Sequence, residues 1–330
     1  MMDKIDILAL KLIDGIGLKS LKNLVDSGHN PVDLSSMDED ELGQYIKGPG
    51  KKNAVDHIKN HFLACQEKAE RLIDELRSNE IVIISYWDND YPNLYKLIDK
   101  PPVFLYLKGV KSLLHHKSNI AIIGTRDCTD IGKKIAGNTA RYFSENGFNI
   151  VSGLAIGIDT AAHKGALDAN GKTTAIVVDV QKIYPFENIK LAEEILQSDG
   201  LLVSENPPGT IQHRGLLISR DRLQSGLSLG VFPIETDVVG GTMHTVQFAK
   251  DQKRLLFCPD LNKIPDYSLT DKQCQGVLKL INESVAEPYS KDDYDDIIRK
   301  LNEKQSELFS SQDSDVDLPP SGQSLRIKGI

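Results

Sequence analysis

Two apolar strands in succession, each ending in a short glycine-containing turn before a helix, constrain this chain more than any other feature. The first strand, Ile120–Ile123, ends in Gly124–Arg126, and the second, Phe148–Val151, ends in Ser152–Gly153. Successive parallel strands need a crossover connection of this kind, which is usually helical. The carboxyl ends of both strands therefore meet at one edge of a parallel sheet, where open α/β sheets bind their ligands.

The turns at this edge have the chemistry of a phosphate site. Gly124 lets a ligand approach the backbone, Thr125 offers a hydroxyl, and Arg126 offers a fork of donors that suits phosphate oxygens. The turn Ala155–Gly157 opens a helix predicted to begin at Ile158, and the free N–H groups of helix N-termini attract anions. The sequence thus predicts a phosphate-bearing ligand, either a nucleotide or a nucleic-acid strand.

Strands and helices alternate from residue 118 to about residue 258, which predicts an α/β fold with a Rossmann-like parallel sheet and helices on both faces. Residues 1–80 predict a small helical domain, and residues 81–117, with two short strands, predict a linker that docks onto the next domain. The Rossmann-like domain is expected to span 118–302, and 303–330 to form a disordered acidic tail. The strands predicted in the main domain are Ile120–Ile123, Phe148–Val151, Thr174–Val178, Leu201–Ser204, Gly230–Ile234 and Arg254–Cys258.

Two glycine-rich turns interrupt the helical region. Asp14–Gly17 resembles one hairpin of a helix-hairpin-helix or SAM-like module, in which backbone N–H groups approach a DNA phosphate. Lys47–Lys52 is a second, basic turn. Because one such turn is weak evidence, we favour ordinary connectors between packed helices.

Composition narrows the function classes. The formal net charge of −8 argues against a general polyanion binder with a basic surface, but it leaves room for a local basic pocket. The four cysteines have no paired or metal-ligand spacing, so we expect reduced thiols, no metal and no cofactor. Since neither a signal peptide nor a run of about 20 apolar residues is seen, we expect a cytoplasmic protein without a membrane partner.

The region after the strand Leu201–Ser204 concentrates arginines in an otherwise acidic chain. We expect at least one of them to contact the ligand, and ion pairs with nearby carboxylates are the alternative. Further along the chain, a helix is predicted to begin at Gly240–Thr242, and its free backbone N–H groups form another candidate anion site. The arginines are Arg214, Arg220 and Arg222, and the candidate carboxylates are Glu205, Asp221 and Glu235.

Asp159 and His163 stand one helical turn apart after the Gly-rich turn. Residues four apart lie on the same helix face, so the two side chains could form a hydrogen bond. Because no nucleophile is nearby, we expect a structural pair rather than a catalytic dyad.

In this order, the motifs resemble those of the DNA-processing protein A (DprA, also called Smf) family over roughly residues 90–290. The runs that carry the resemblance are IAIIGTR, IVSGLAIGIDTAAHKGAL, GKTTAIV, IYPFEN, LLVSENPPGT, RDRLQSGLS and IETDVVGGTMHT. The resemblance implies a Rossmann-like protein that binds single-stranded DNA, helps to load the RecA recombinase during natural transformation, and forms a homodimer. No winged-helix segment, with which many members end, is evident.

The resemblance also implies roles for individual residues. It makes Arg126 the leading DNA-phosphate contact, puts Arg214 at a basic position after the Pro-Pro-Gly loop, and gives Arg220 and Arg222 the places of the family's paired arginines. An aromatic platform for base stacking is expected near the same loop, where Leu216–Leu217 stand instead. The candidate DNA or phosphate contacts are Gly124, Thr125, Arg126, Ser152, Gly153, Arg214, Arg220, Arg222, Gly240, Gly241 and Thr242, with Glu205 and Glu235 as possible ligand or ion-pair carboxylates.

Three functions remain open on this basis. A non-enzymatic single-stranded DNA binder that assists a RecA-type recombinase, in transformation or in a related mobile-element or defence process, has the most support. A nucleotide-sensing module that uses the same pocket is the second. A phosphoribohydrolase acting on nucleoside monophosphates is the third, and it would need Glu205 or Glu235 as its carboxylate.

Overall fold

The computed structural model describes residues 2–265 and 267–313. Its strands are β1 (Ile81–Ser85), β2 (Phe104–Gly109), β3 (Asn119–Ile123), β4 (Asn149–Ser152), β5 (Thr173–Ile176), β6 (Leu201–Ser204), β7 (Gly230–Pro233), β8 (Leu255–Pro259) and β9 (Glu287–Tyr289). Within the described residues they form one sheet in the order β1-β2-β6-β5-β4-β3-β7-β8-β9. Every neighbouring pair from β6 across to β9 is parallel, which confirms the predicted Rossmann-like α/β class.

Helices precede the sheet and connect its strands. Polar side chains cap the N-termini of several helices. Thr129 accepts the N–H of Gly132 before the helix Asp130–Glu145, and Asp3 forms a capping box with Asp6 before the helix Lys4–Leu12. The helices are α1 (Lys4–Leu12), α2 (Leu18–Asp26), α3 (Pro31–Ser36), α4 (Glu39–Tyr45), α5 (Lys51–Asn60), α6 (Phe62–Ser78), α7 (Asn93–Lys96), α8 (Asp130–Glu145), α9 (Ile158–Asp168), α10 (Ile189–Gln197), α11 (Arg214–Leu227), α12 (Thr242–Asp251), α13 (Lys272–Asn282) and α14 (Tyr294–Asp313).

Residues 81–117, which the sequence predicted to be a linker, are part of the sheet. β1 pairs antiparallel with β2, and β2 pairs antiparallel with β6, so this segment extends one end of the parallel sheet. Their positions in the chain match the two short predicted strands, but strand pairing between distant segments is not visible in a single sequence. The sheet therefore begins at residue 81, where the predicted helical region ends, rather than at 118.

Helices cover both faces of the sheet. Along β3, Ile120 and Ile122 join a core shared with α8, α9 and α14, whereas Ala121 and Ile123 join a core shared with α11, α12 and α13. This alternation follows from the two-residue repeat of a strand. At the other end of the sheet, α1–α6 and α10 pack against one face of β1, β2, β6 and β5. The predicted helical domain thus packs against the sheet and shares a continuous apolar core with it.

The two glycine-rich turns of the helical region pack against each other. Gly15 has a φ of +95°, and a Cβ there would lie 2.6 Å from the carbonyl oxygen of Gly50. Ser20 and Asn23 strengthen the contact by bonding the backbone of Lys47 and Tyr45. This close packing explains why glycine stands at positions 15 and 50 without any contact to a DNA phosphate. It agrees with the interpretation of both turns as connectors between packed helices.

The chain continues beyond β8 through α13, β9 and α14. α14 runs to Asp313, so residues 303–313, predicted to belong to a disordered tail, are helical. The rest of that predicted tail lies outside the described residues. Among the described helices, none combines the length and the apolar character needed to cross a membrane.

Helices α8 and α9 cross closely at two glycines, which leads to a first prediction. A Cβ on Gly165 would lie 2.2 Å from the carbonyl oxygen of Gly137, whereas a Cβ on Gly137 would meet its nearest atom at 3.7 Å. We expect Gly165→Ala to force the helices apart and lower the free energy of unfolding by about 1–3 kcal/mol. Gly137→Ala should be neutral or stabilising by up to ~1 kcal/mol, since alanine is the better helix former. Urea unfolding of both variants measures this, and equal effects would contradict the packing described.

Candidate functional site

A cleft of about 1010 Å³ lies outside the carboxyl ends of the parallel strands. The chain order of the sheet reverses at β3, which has β4 on one side and β7 on the other. Such reversal points are where open α/β sheets hold their ligands. Of the predicted contact residues, those that line the cleft are Gly124, Thr125, Arg126, Arg214, Arg220, Gly240, Gly241 and Thr242.

The floor of the cleft depends on two interlocked turns. A Cβ on Gly124 would lie 2.4 Å from Ile158 Cγ1, and a Cβ on Gly157 would lie 2.6 Å from the carbonyl oxygen of Thr125. The N–H of Thr125 also donates to the carbonyl oxygen of Glu235 at 2.8 Å, which ties the turn to the end of β7. Gly124 thus admits α9, and its predicted contact with a ligand stays a prediction.

Two of the four predicted arginines are free to meet an anion. Arg126 and Arg214 are exposed, line the cleft and form no ion pair with any residue that the structure describes. Lys182 is a third exposed cation on the same lining. The alternative in which Arg126 pairs with Glu205 or Glu235 is therefore not observed. A local positive surface faces this cleft although the whole chain is acidic.

Arg222 is occupied by an ion pair inside the protein. Its two terminal nitrogens donate to the two carboxylate oxygens of Glu205, at 2.6 Å and 2.5 Å. It also donates to the carbonyl oxygens of Lys100 and Ser219. Both members of this bidentate pair lie off the cleft lining, so the predicted ligand role of Arg222 and Glu205 gives way to the predicted ion-pair alternative.

Arg220 lies at the back of the cleft and is 6% exposed. Its Nη2 donates to the carbonyl oxygen of Gly153 at 3.1 Å, and its Nη1 lies 3.2 Å from Asp221 Oδ1. A Cβ on Gly153 would lie 1.9 Å from Nη1, so glycine is required there for the guanidinium to fit. Ser152 is fully buried and donates to the carbonyl oxygen of Ile122. Ser152 and Gly153 thus support Arg220 and β3 rather than line the cleft.

Asp159 and His163 do not form the predicted hydrogen bond. His163 Nδ1 lies 2.7 Å from Thr173 Oγ1, and burial lowers the pKa of this imidazole to about 3, so that it stays neutral. The Asp159 carboxylate instead accepts the N–H groups of Gly153 and Ala155, both at 3.2 Å. Asp159 therefore stabilises the turn that enters α9, and His163 anchors α9 to β5.

Glu235 supports α8 rather than a ligand. Its carboxylate accepts the N–H and the hydroxyl of Thr129, at 2.8 Å and 2.6 Å, and also the hydroxyl of Tyr267. It is fully buried beneath Gly132 and is absent from the cleft lining. No group of three or more His, Cys, Asp or Glu in the described part of the chain is arranged to hold a metal ion.

Gly240–Thr242 lie at the N-terminus of α12 and line the same cleft as Arg214. No side chain caps this terminus, and Gly241 is exposed. Unpaired N–H groups at such a terminus suit an anion. The structure places these three residues where the sequence predicted an anion site, and their role as ligands stays a prediction.

Two aromatic rings on the cleft were not predicted as site residues. Tyr184 and Phe186 are 51% and 65% exposed, and their ring centroids lie 5.8 Å apart. They follow β5, about thirty residues before the loop where a stacking platform was expected. Exposed aromatic rings beside unpaired arginines are typical of surfaces that stack nucleobases. The available signal was two aromatic residues that flank a proline, in the segment between the buried strand β5 and helix α10.

The Asp221 carboxyl yields a pH prediction. Burial raises its pKa to about 6 despite the neighbouring Arg220, and burial also raises the pKa of Asp159. Folding therefore favours the protonated form, so its contribution to stability falls as the pH rises from about 4 to about 6. We expect Asp221→Asn, which mimics the protonated acid, to lose part of this decline, as thermal unfolding at pH 5 and pH 7.5 would show. A decline identical to that of the wild type would contradict the burial argument.

Comparison with known proteins identifies the family. Residues 70–302 match the sequence profile of the family described as DNA recombination-mediator protein A. The chain is 32% identical to DNA processing protein DprA of Bacillus subtilis over 253 residues, which cover 76% of this chain and 83% of that protein.

Two solved structures share the fold. DNA processing protein A of Streptococcus pneumoniae superposes with a TM-score of 0.68 at 28% identity, over 88% of this chain and 95% of that one. DNA processing protein A of Helicobacter pylori, described for its single-stranded DNA binding mode, superposes with a TM-score of 0.59 at 27% identity, over 67% of this chain and 96% of that one. Since the profile spans more than half of its length, this chain belongs to the DNA recombination-mediator protein A (DprA) family.

Proposed function

We propose that this protein binds single-stranded DNA in the cleft at the carboxyl edge of its sheet. The observation that carries the proposal is that unpaired Arg126 and Arg214 share this cleft with two exposed rings, Tyr184 and Phe186. Single-strand binders combine cations that follow the phosphates with aromatic side chains that stack the bases. Duplex DNA keeps its bases stacked inside and would leave the rings unused.

The net charge supports a local rather than a general nucleic-acid surface. A chain with a net charge of −8 repels polyanions over most of its surface, so binding depends on the few free cations of the cleft. The Helicobacter pylori relative, described for its single-stranded DNA binding mode, supports the same ligand. Assistance to a RecA-type recombinase is also proposed, and the description of the family as a recombination mediator supports it. Action as a homodimer in the cytoplasm completes the proposal.

A mononucleotide is a second candidate ligand. Gln224 lines the cleft at 2% exposure, and its Oε1 has no hydrogen-bond partner among the described residues. A buried acceptor of this kind would gain from a donor on a nucleobase. Calorimetry with a panel of mononucleotides tests this candidate, and no heat from any of them would remove it.

The geometry gives no support to a phosphoribohydrolase. Glycosidic cleavage needs a carboxylate beside the bond that breaks. The carboxylates proposed for that role are engaged by other side chains, Glu205 by Arg222 and Glu235 by Thr129 and Tyr267.

Replacing Arg126 tests the proposed function. We expect Arg126→Ala to weaken binding to oligo-dT by about 10-fold, because one charge-assisted phosphate contact is lost. The slope of log affinity against log salt should decrease in magnitude by about 0.7. Fluorescence anisotropy at several salt concentrations measures both. Arg71 is an exposed residue of α6 that pairs with Glu67, and Arg71→Ala is the matched control. It should change neither the affinity nor the salt slope. Unchanged affinity and slope in Arg126→Ala would refute a phosphate role for this side chain.

Replacing Phe186 tests the stacking platform separately. Loss of one stacked base costs about 1–3 kcal/mol, so Phe186→Ala should weaken oligo-dT binding by about 5- to 150-fold. The salt slope should stay at the wild-type value, because no phosphate contact is lost. Phe186→Tyr keeps a ring and should bind within about twofold of the wild type. A change of slope without loss of affinity at high salt would argue against stacking.

A further inference from the structure

The exposed rings stand on a segment, residues 180–188, that is held firmly at its first end. Asp179 stands three residues after the end of β5 and is 4% exposed. Its Oδ1 accepts the N–H groups of Gln181 and Lys182, at 2.8 Å and 3.2 Å. Its Oδ2 accepts the N–H of Gly209 at 2.7 Å. One carboxylate therefore joins the segment with the rings, here called the aromatic loop, to the Pro-Pro-Gly loop that follows β6.

The aromatic loop is also held at its far end. Asn188 is 4% exposed, and its Nδ2 donates to the carbonyl oxygen of Leu154 at 2.9 Å. This bond fixes the end of the loop to the turn that enters α9. Between the two anchors the rings remain exposed on the cleft, so their position depends on the anchors rather than on packing of the rings themselves.

The bonds to Asp179 depend on its charge and on both of its oxygens. Asp179 forms no ion pair with any described residue, so three backbone donors satisfy it. Hydrogen bonds to an ionised acceptor are stronger than neutral ones. An asparagine of the same shape offers one oxygen, and its amide N–H₂ would face a donor on one side. Replacement by asparagine thus releases one loop from the other without opening a cavity.

We propose that Asp179 is a positioning residue that sets the distance between the stacking rings and the loop that leads to Arg214. This inference rests on the proposed single-strand binding, to which Asp179, 4% exposed on the cleft lining, contributes through the two loops that it joins. Holding two recognition elements in place before binding lowers the entropy lost on association. The Pro-Pro-Gly loop ends five residues before Arg214, so the carboxylate couples the ring side of the cleft to its arginine side.

The first test needs no DNA. Hydrogen–deuterium exchange of Asp179→Asn should show faster exchange at residues 181–182 or at Gly209, whichever side faces the amide N–H₂, with β3, β4 and β7 unchanged. Asp260→Asn is the matched control, because Asp260 also accepts a backbone N–H, from Asn262, after another strand. It should leave both loops as protected as in the wild type. Unchanged exchange both at residues 181–182 and at Gly209 in Asp179→Asn would overturn the coupling of the two loops.

The second test measures coupling to the rings. Asp179→Asn should weaken oligo-dT binding by about 10-fold in the wild-type background but by less than about twofold when Tyr184 and Phe186 are both alanine. The salt slope should not change, since no phosphate contact is lost. Equal losses in both backgrounds would show a merely structural effect and overturn the positioning role. Wild-type protein without affinity for oligo-dT would overturn the proposed function itself, while the exchange experiment would still decide whether Asp179 joins the loops.

Discussion

The close approach of two strand-end turns is the constraint on which the rest of the site depends. Gly157 packs against the carbonyl oxygen of Thr125, and Gly124 packs against Ile158, at distances that leave no room for a Cβ. This interlock brings α9 against the end of β3 and sends the Arg126 side chain outward into the cleft. A residue larger than glycine at either position would separate the turns. Gly124 and Gly157 therefore shape the floor of the cleft.

Charge pairing decides which of the arginines can act. A buried arginine without a carboxylate would be costly, and Arg222 and Arg220 are paired with Glu205 and Asp221. α11 is fixed against the sheet by the bond of Arg222 to Glu205 and by the bond of Arg220 to the carbonyl oxygen of Gly153. Arg126 and Arg214 remain as the free arginines on the cleft lining. A few free cations beside exposed rings make a surface that suits a single strand better than a duplex.

The sequence was a good guide where local pattern decides structure and a poor one where distant segments meet. The strands and the helix that begins at Ile158 follow from hydrophobic runs and glycine turns, and the structure confirms them. A cleft lies at the predicted edge of the sheet, where ligand binding stays a prediction. The antiparallel addition of 81–117 to the sheet depends on long-range pairing that a single sequence does not display. The partners of Arg222 and Glu235 were open alternatives for the same reason. The rings at 184 and 186 escaped notice because the expected platform was sought close to Arg214 in sequence, whereas Asp179 brings the two loops together in space.

The central claim is that a single DNA strand occupies this cleft. Hydrogen–deuterium exchange of the wild-type protein, with and without saturating oligo-dT, tests it most directly because it maps contact along the whole chain. We expect added protection at residues 124–127, 181–186, 209–214 and 240–243, with α1–α6 unchanged. Protection confined to the two glycine-rich turns of the helical region, or absent from the four cleft segments, would contradict it.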